Sequence, residues 1–400
     1  MLPLTSVICF DNFLKTLMFN YNFKNTSPRF TTYSKGLLLV LLFIQSLGIA
    51  QFKSDSIKRV KYVVLPIVFR SPETFWAFGI TSSVSFKTSH KNDSLTRTSS
   101  IQALAMLTQR QQNVQAIDAT IFFPKERYIF SCQISHSFYP DRYWGIGQNS
   151  KEFPRVKGRG RTRGDYDFEQ IYFYPHLKKK IAKDFFIGAL YEFQKIYRLN
   201  YAKESLFDSA RIDGKQDHIM SGLGASVSYD TRNSSYWPTK GILIQGTFTY
   251  FNNYFGSTYN DLKTTLDIRY FKKLFKHTVI AAQLYNYTNE GHPPIRELAM
   301  LGGANNMRGL YQGRFRDHNM TTLIAEYRVP IWKRFSAVVF GGIGNVYRKV
   351  NELVTNQPKH TFGGGIRFAV LPKERLNLRV DYGYYNQYNS GFYFTVGECF

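Results

Sequence analysis

The chain has 400 residues, 44 % of them apolar and 17 % aromatic (28 Tyr, 35 Phe), and a formal charge of +24. That length allows one large domain or two ordinary ones, and the aromatic content suits strands and the girdles of membrane barrels. Its basic residues recur singly inside strand-like segments and in turns such as Lys178-Lys179-Lys180; this spread argues against a nucleic-acid-binding arm and fits a polar lumen with loops near lipid phosphates. Cys9, Cys132 and Cys399 are far apart and form neither a disulfide framework nor a metal motif, so no metal and no cofactor are expected.

The first predicted element is an export signal. Lys35 precedes the apolar run Leu37 to Ile44, and a small-x-small end at Gly48-Ile49-Ala50 follows. This reads as a signal peptide over residues 1–50, cleaved after Ala50, with Met18 as a candidate true start. The run is too short for a helix crossing a hydrocarbon core of about 30 Å. No later segment reaches the ~18 continuous apolar residues of a spanning helix. Residues 51–70 read as a short periplasmic N-terminal segment and 71–400 as one domain, without internal repeat or linker.

From there the chain reads as strands whose side chains alternate between two faces. Ile219, Leu223, Ala225, Val227 and Tyr229 oppose Gly222, Gly224, Ser226, Ser228 and Asp230. Ile242, Ile244, Phe248 and Tyr250 oppose Leu243, Gln245, Thr247 and Thr249. Leu262, Leu266, Ile268 and Tyr270 oppose Lys263, Thr265, Asp267 and Arg269. Leu323, Ala325, Tyr327 and Val329 oppose Thr322, Glu326 and Arg328. Leu376, Leu378, Val380, Tyr382 and Tyr384 oppose Asn377, Arg379, Asp381 and Gly383. A soluble sandwich alternates too. Two features favour a transmembrane barrel: strands of about ten residues match a tilted membrane-spanning strand, and the polar faces carry both signs of charge, which can pair inside a closed lumen. In lipid every backbone group must be paired, which closes the sheet. The expected fold is therefore all-β, a transmembrane antiparallel barrel of about sixteen strands. The strand count is hardest to fix between Thr88 and Phe123. Short links at 124–127, 272–277, 331–334 and 372–375 alternate with long ones near 139–167, 199–217, 288–320 and 348–360, as in outer-membrane barrels.

Three stretches carry a more specific signal. Asp230-Thr231-Arg232-Asn233 is followed by Pro238-Thr239-Lys240-Gly241. Gly302-Gly303 leads to Met307-Arg308-Gly309-Leu310 in a long loop. The chain ends Asn389-x-Gly391-x-x-Phe394-x-Val396 and then Phe400. Turn chemistry explains Pro238 and Gly241 but not the whole first string, and Arg-Gly alone is common. Together these stretches resemble the BamA/TamA-type outer-membrane assembly and translocation barrels, the bacterial surface antigen family, over roughly residues 70–400. The first resembles the family's Asp-x-Arg-Asn…Pro-x-x-Gly hairpin. The second resembles its Val-Arg-Gly-Phe loop, with Met307 and Leu310 as apolar replacements. The third resembles its C-terminal targeting strand, comprising Gly391, Phe394, Val396 and Phe400.

The resemblance implies that the loop folds into the lumen, where carboxylates on the wall hold its arginine; an arginine fork shared between carboxylates makes directional, charge-assisted bonds. Glu326 is one candidate anchor. The family's second acid, in a Phe-x-Asp-x-Gly pattern, is replaced here by Gly342 within Phe340-Gly341-Gly342-Ile343-Gly344, and Asp381 is the candidate substitute. Family members usually carry periplasmic repeat domains ahead of the barrel; the stretch after Ala50 leaves no room for one. Implied partners are outer-membrane lipid and lipopolysaccharide, client barrel proteins and separate periplasmic subunits, but no nucleic acid.

No catalytic motif is present: there is no Gly-x-Ser-x-Gly, no His-Glu-x-x-His and no phosphate-cradling loop. Ser135 and His136 are adjacent, so as strand residues they face opposite sides. The basic stretch Lys151 to Arg163 reads as a solvated loop, or less simply as a clamp for lipopolysaccharide phosphates. The expected function is assistance in protein insertion or translocation at the bacterial outer membrane, not catalysis. The alternatives are a passive channel narrowed by the Arg308 loop and, third, an outer-membrane lipid hydrolase.

Overall fold

The structure, a computed structural model, describes residues 60–400 apart from 90–92, 94–95, 149–163, 235–236, 276, 372–375, 387–388 and 397. The proposed signal peptide and the basic stretch 151–163 lie outside the described residues. Among the described residues no helix is long and apolar enough to cross a membrane.

Sixteen strands form one antiparallel sheet in chain order. The first eight are β1 (Val60–Ser71), β2 (Phe75–Phe86), β3 (Ser99–Thr108), β4 (Asn113–Phe122), β5 (Tyr128–Arg142), β6 (Asp165–Ala182), β7 (Phe185–Tyr201) and β8 (His218–Asp230). Then come β9 (Gly241–Phe251), β10 (Asp261–Leu274) and β11 (Thr278–Gly291). Two short strands, β12 (Ala299–Leu301) and β13 (Phe315–Asp317), pair only with each other inside the long loop. The wall resumes with β14 (Asn319–Trp332), β15 (Phe335–Tyr347), β16 (Lys359–Leu371), β17 (Leu376–Asn386) and β18 (Asn389–Val396). The chain is thus a nearly closed barrel. Every neighbouring pair from β1 to β18 is zipped by an antiparallel ladder. Among the described residues no ladder joins β18 back to β1, although their Cα atoms approach within 8 Å. This break is the seam of the barrel.

The wall starts earlier than the sequence suggests. Residues 60–70 belong to β1, paired with β2 from Val60↔Phe86 to Ser71↔Phe75, rather than to a periplasmic segment ending at 70. Their alternation is blurred by the run Val63-Val64-Leu65-Pro66-Ile67-Val68, whose continuous apolar character hides the period of two. The difficult stretch 88–123 resolves into β3 and β4, joined by the tight turn 109–112.

Alternation sorts the rest. Leu323, Val339, Phe362, Ile366 and Phe248 are exposed on the outer face, while Thr322, Glu326, Arg328, Arg379 and Asp381 are buried on the inner one. Charges of both signs pair inside: Arg269 Nη2 lies 2.6 Å from Asp267 Oδ2, with Gln283 Nε2 donating to Oδ1 of the same carboxylate. Aromatics gather at the short-turn end of the outer face, where the ring of Phe335 lies 6.4 Å from Trp332 and 5.0 Å from Phe368, as at a membrane interface.

The barrel encloses a packed interior, and its own loop supplies much of it. Ala299, Leu301, Met307, Leu310 and Phe315 of the 292–318 loop form one buried cluster with Met320 and Val346 of the wall. Ile295 joins a second with Tyr143, Tyr166, Phe168, Ile196 and Phe207. Opposite faces of one strand therefore meet opposite solvents. Replacing Leu323 by Arg is expected to destabilise the barrel by about 2 kcal/mol or more, and Thr265→Asn on the lumen face by much less. Urea unfolding in lipid vesicles, read by heat-modifiable gel mobility, measures both.

Candidate functional site

The site is where the long loop meets the inner wall. The chain leaves β11, makes the β12–β13 hairpin with Ala299↔Asp317, Met300↔Arg316 and Leu301↔Phe315 in register, and carries Arg308 at its tip. Gly302, Gly303 and Gly309 all have positive φ (110°, 98° and 107°), a region closed to most side-chain-bearing residues. A Cβ on Gly302 would lie 2.5 Å from the carbonyl oxygen of Tyr311. A Cβ on Gly309 would lie 2.8 Å from backbone atoms of Tyr384, and one on Gly383 would lie 2.5 Å from Arg308 C and Gly309 N. The two glycines let the loop tip lie flat on β17. Tyr393 of β18 fastens it from beside: Gly309 N donates to Tyr393 Oη at 3.0 Å, which in turn donates to Leu310 O at 3.3 Å.

Arg308 is then fully enclosed. Its Nη2 lies 2.6 Å from Glu326 Oε1, its Nη1 2.5 Å from Asp381 Oδ2, and its guanidinium 3.5 Å above the ring of Phe340. A buried charge without partners would cost many kcal/mol; here two carboxylates and an aromatic face offset that loss. Each carboxylate serves Arg308 and at least one arginine of the wall, and Asp381 Oδ2 also has Arg379 Nε at 3.5 Å. Glu326 Oε2 takes Arg328 (Nη2 at 2.8 Å), and Asp381 Oδ1 takes Arg367 (Nη1 at 2.5 Å). Arg367 continues to Glu398 at 2.8 Å, and Arg328 Nη2 reaches the Phe400 carbonyl oxygen at 3.4 Å. Arg379 holds the loop backbone through Ala304 O at 3.1 Å and Asn305 Oδ1 at 2.9 Å. Acids and arginines thus alternate from one branch of the chain end, through the loop tip, to the other.

The glycine that stands where a second acid was expected has a packing role. A Cβ on Gly342 would lie 3.2 Å from the Met307 sulfur, and one on Gly344 equally close. The longer Met307 side chain occupies that space, and the carboxylate comes instead from β17 as Asp381.

Away from the tip the loop crosses to the opposite wall. Arg296 Nη1 and Arg316 Nη2 approach Asp141 Oδ2 at 2.9 and 3.5 Å, and the Tyr166 hydroxyl donates to the same oxygen at 2.8 Å. Lys263 of β10 joins Glu192 of β7 to Glu297 of the loop at 2.5 and 3.0 Å. Near the outer β1–β2 turn, Gln312 N donates to Glu73 Oε1 at 2.9 Å; burial there pushes the Glu73 carboxyl up from its ordinary value.

The remaining residues singled out in the sequence fall elsewhere. Asp230, Arg232 and Asn233 form a cluster at the short-turn end. Asp230 binds Arg232 at 2.9 Å and Arg97 at 2.9 Å, and Arg97 binds Glu126 at 2.8 Å. Asn233 Oδ1 accepts from Thr239 N at 3.0 Å. Pro238 is buried beneath that turn, and Gly241 takes φ 106°, where a Cβ would lie 2.7 Å from Thr231 C. Gly391 and Phe394 lie within β18, and Val396 is its last residue. Phe400, expected to end the last strand, stands outside its ladder and is buried in the lumen with Phe271, Ala281, Ile324 and Cys399. It turns inward because Arg367 and Arg328 bind Glu398 and the Phe400 carbonyl. Sequence reading did not single out Arg328, Arg367, Glu398, Tyr393 or the cluster around Asp141. Strand phase offered a signal for Arg328, two residues after Glu326, but none for partners that only the closed barrel brings together.

A Ser–His contact does exist on the wall. His176 Nε2 and Ser226 Oγ are 2.6 Å apart, both buried, with no carboxylate among the described partners of the imidazole.

The Omp85 superfamily domain matches residues 14–400. The chain belongs to that superfamily, whose members are non-enzymatic barrels of the outer membrane, acting in protein insertion or translocation with client proteins and partner subunits. Solved structures share its fold. BamA from Haemophilus ducreyi lacking POTRA domains 1–3 is 12 % identical, with a TM-score of 0.54, and the match covers 86 % of this chain and 71 % of that one. CdiB from Acinetobacter baumannii (13 %, TM-score 0.52) and CdiB from Escherichia coli (10 %, TM-score 0.58) match over 86 % of this chain and 60 % and 63 % of theirs. The chain thus spans less than two thirds of either CdiB. No curated protein matches.

Among the described residues, removing the guanidinium leaves Glu326 with Arg328 alone and Asp381 with Arg367 and, at 3.5 Å, Arg379. Arg308→Ala is expected to cost about 3 kcal/mol or more, the scale for breaking a buried pair, and to release the loop. Gly309→Ala should release it without touching a charge. Both should gain a new cleavage site in residues 292–318 under limited proteolysis in detergent, and a wild-type digestion pattern in either variant counts against this docking.

Proposed function

We propose that this chain is a BamA/TamA-type barrel that assists insertion or translocation of proteins at the bacterial outer membrane. The observation that carries this reading is the seam. All neighbouring strands from β1 to β18 are laddered, and the break falls where the first and last strands face each other. An unladdered strand edge is a template for pairing with another strand, which is what a client barrel segment offers. In this reading residues 1–50 are a signal peptide, 51–59 a short periplasmic lead, and Gly391, Phe394, Val396 and Phe400 the targeting strand. Glu326 and Asp381 anchor Arg308, and outer-membrane lipid, lipopolysaccharide, client barrels and separate periplasmic subunits are the partners. The docked loop keeps the wall in one shape while the seam opens. The passive-channel reading fares worse against the same interior, since Met307, Arg308 and Leu310 are fully buried where a conduction path would need water.

Depleting the protein in its native host and quantifying the outer-membrane proteome tests the proposal, with an Arg308→Ala strain beside it. A defined set of barrels or surface proteins is expected to fall several-fold in both strains. An unchanged proteome with altered solute uptake would make the protein a channel.

A further inference from the structure

We propose that the periplasmic mouth of the lumen carries a binding site for a phosphate group, at a place distinct from the seam and from the loop tip. A cavity of about 200 Å³ lies at the short-turn end, lined by Trp237, Thr239, Lys273, His277, Arg328 and Ser336 among others. It lies on the inner face, because Arg328, Lys273 and Ser336 share the inward phase of β14, β10 and β15 with the buried Glu326, Phe271 and Val338.

Arg328 supplies the argument. Its Nε and Nη2 are engaged by Glu326 Oε2 at 2.9 and 2.8 Å, and Nη2 also reaches the Phe400 carbonyl. Its Nη1 is buried and has no hydrogen-bond partner among the described residues. A buried donor left unmade costs as much as the bond it forgoes, and an oxyanion in the adjoining cavity would supply the missing acceptor. The other polar groups around the cavity agree in kind. Lys273 and His277 bring cationic or donor nitrogens, Thr239 and Ser336 bring hydroxyls, and none of the described lining residues is acidic. Among the described residues Glu326, shared with Arg308, is the one side-chain carboxylate paired with Arg328, and Lys273 takes part in no ion pair. Counting Nη1, these residues offer more donors than the roughly four acceptor sites of a carboxylate can take, which favours a tetrahedral oxyanion. The volume is below that of a typical drug-sized pocket, so the site takes a headgroup or a free ion rather than a whole lipid.

This also gives a use to the 230–241 hairpin. Asn233 fixes the backbone of Thr239, Gly241 lets the turn close against Thr231, and Trp237 is set over the Arg328 guanidinium at 4.9 Å. The hairpin is the roof of the cavity.

The full chain in detergent micelles, titrated with inorganic phosphate and followed by calorimetry and ³¹P line width, tests the site. Saturable binding is expected, weakened about tenfold or more by Lys273→Gln and by Thr239→Val, with heat-modifiable gel mobility showing that each variant is folded. Acetate should bind at least tenfold more weakly. Competition with dihexanoyl phosphatidate distinguishes the source: displacement of phosphate at lower concentration makes the natural ligand a lipid headgroup, and failure to compete makes it the free ion. The proposal is overturned if folded wild-type protein shows no saturable phosphate binding, if neither substitution weakens it, or if acetate binds equally well.

Discussion

Two carboxylates shared among four arginines hold this molecule's interior together. Glu326 and Asp381 each give one oxygen to Arg308 and the other to an arginine of the wall, and the Asp381 oxygen facing Arg308 also has Arg379 at 3.5 Å. A lone arginine in the lumen would have to be hydrated or neutralised by a mobile ion. Sharing fixes it instead, because each acid is already oriented by Arg328 or Arg367 before the loop arrives. The glycines around Arg308 serve that geometry: without Cβ atoms at 309 and 383 the backbone of the tip and the backbone of β17 can touch, and the guanidinium falls between its acids.

The loop does more than occupy space. A barrel wall has only one row of inward side chains per strand, and the middle of a sixteen-stranded lumen is too wide for them to fill. Residues 292–318 supply the missing core, with apolar clusters on two sides and ion pairs to β5, β10, β14 and β17. The interior therefore behaves as a packed body spanning the barrel. The same packing explains why the wall tolerates an unladdered seam: strands far from each other in the sheet are linked through the loop rather than only around the circumference.

The chain end is part of the same construction. Glu398 and Phe400 bind the two arginines that also flank the carboxylates of Arg308, and Tyr393 of the last strand holds the loop backbone on both sides. At the seam a Cβ on Gly391 would lie 2.9 Å from Cδ of Pro72, so β18 meets the β1–β2 turn by close contact of small groups. Loop tip, last strand and chain end thus touch through a few polar bonds, and a change at one alters the surroundings of the others.

By itself the sequence determined the class of the fold and the phase of its strands. A period of two is a local property, written in successive residues, and it survives whatever the strand later packs against; it placed Glu326, Arg328, Arg379 and Asp381 on one face. It also marked Arg308, because an arginine set among glycines in a long loop has a recognisable local form. It misplaced the start of the wall, where the continuous apolar run 63–68 erases the alternation, and the position of Phe400, which leaves the strand for partners from elsewhere in the chain. Only tertiary structure decided which carboxylates meet Arg308, that Gly342 makes room for Met307 while Asp381 supplies the acid, and that Asp141 on the opposite wall takes Arg296 and Arg316. Those partners are separated by tens to hundreds of positions, and closing a sheet into a barrel is what brings them within hydrogen-bonding distance.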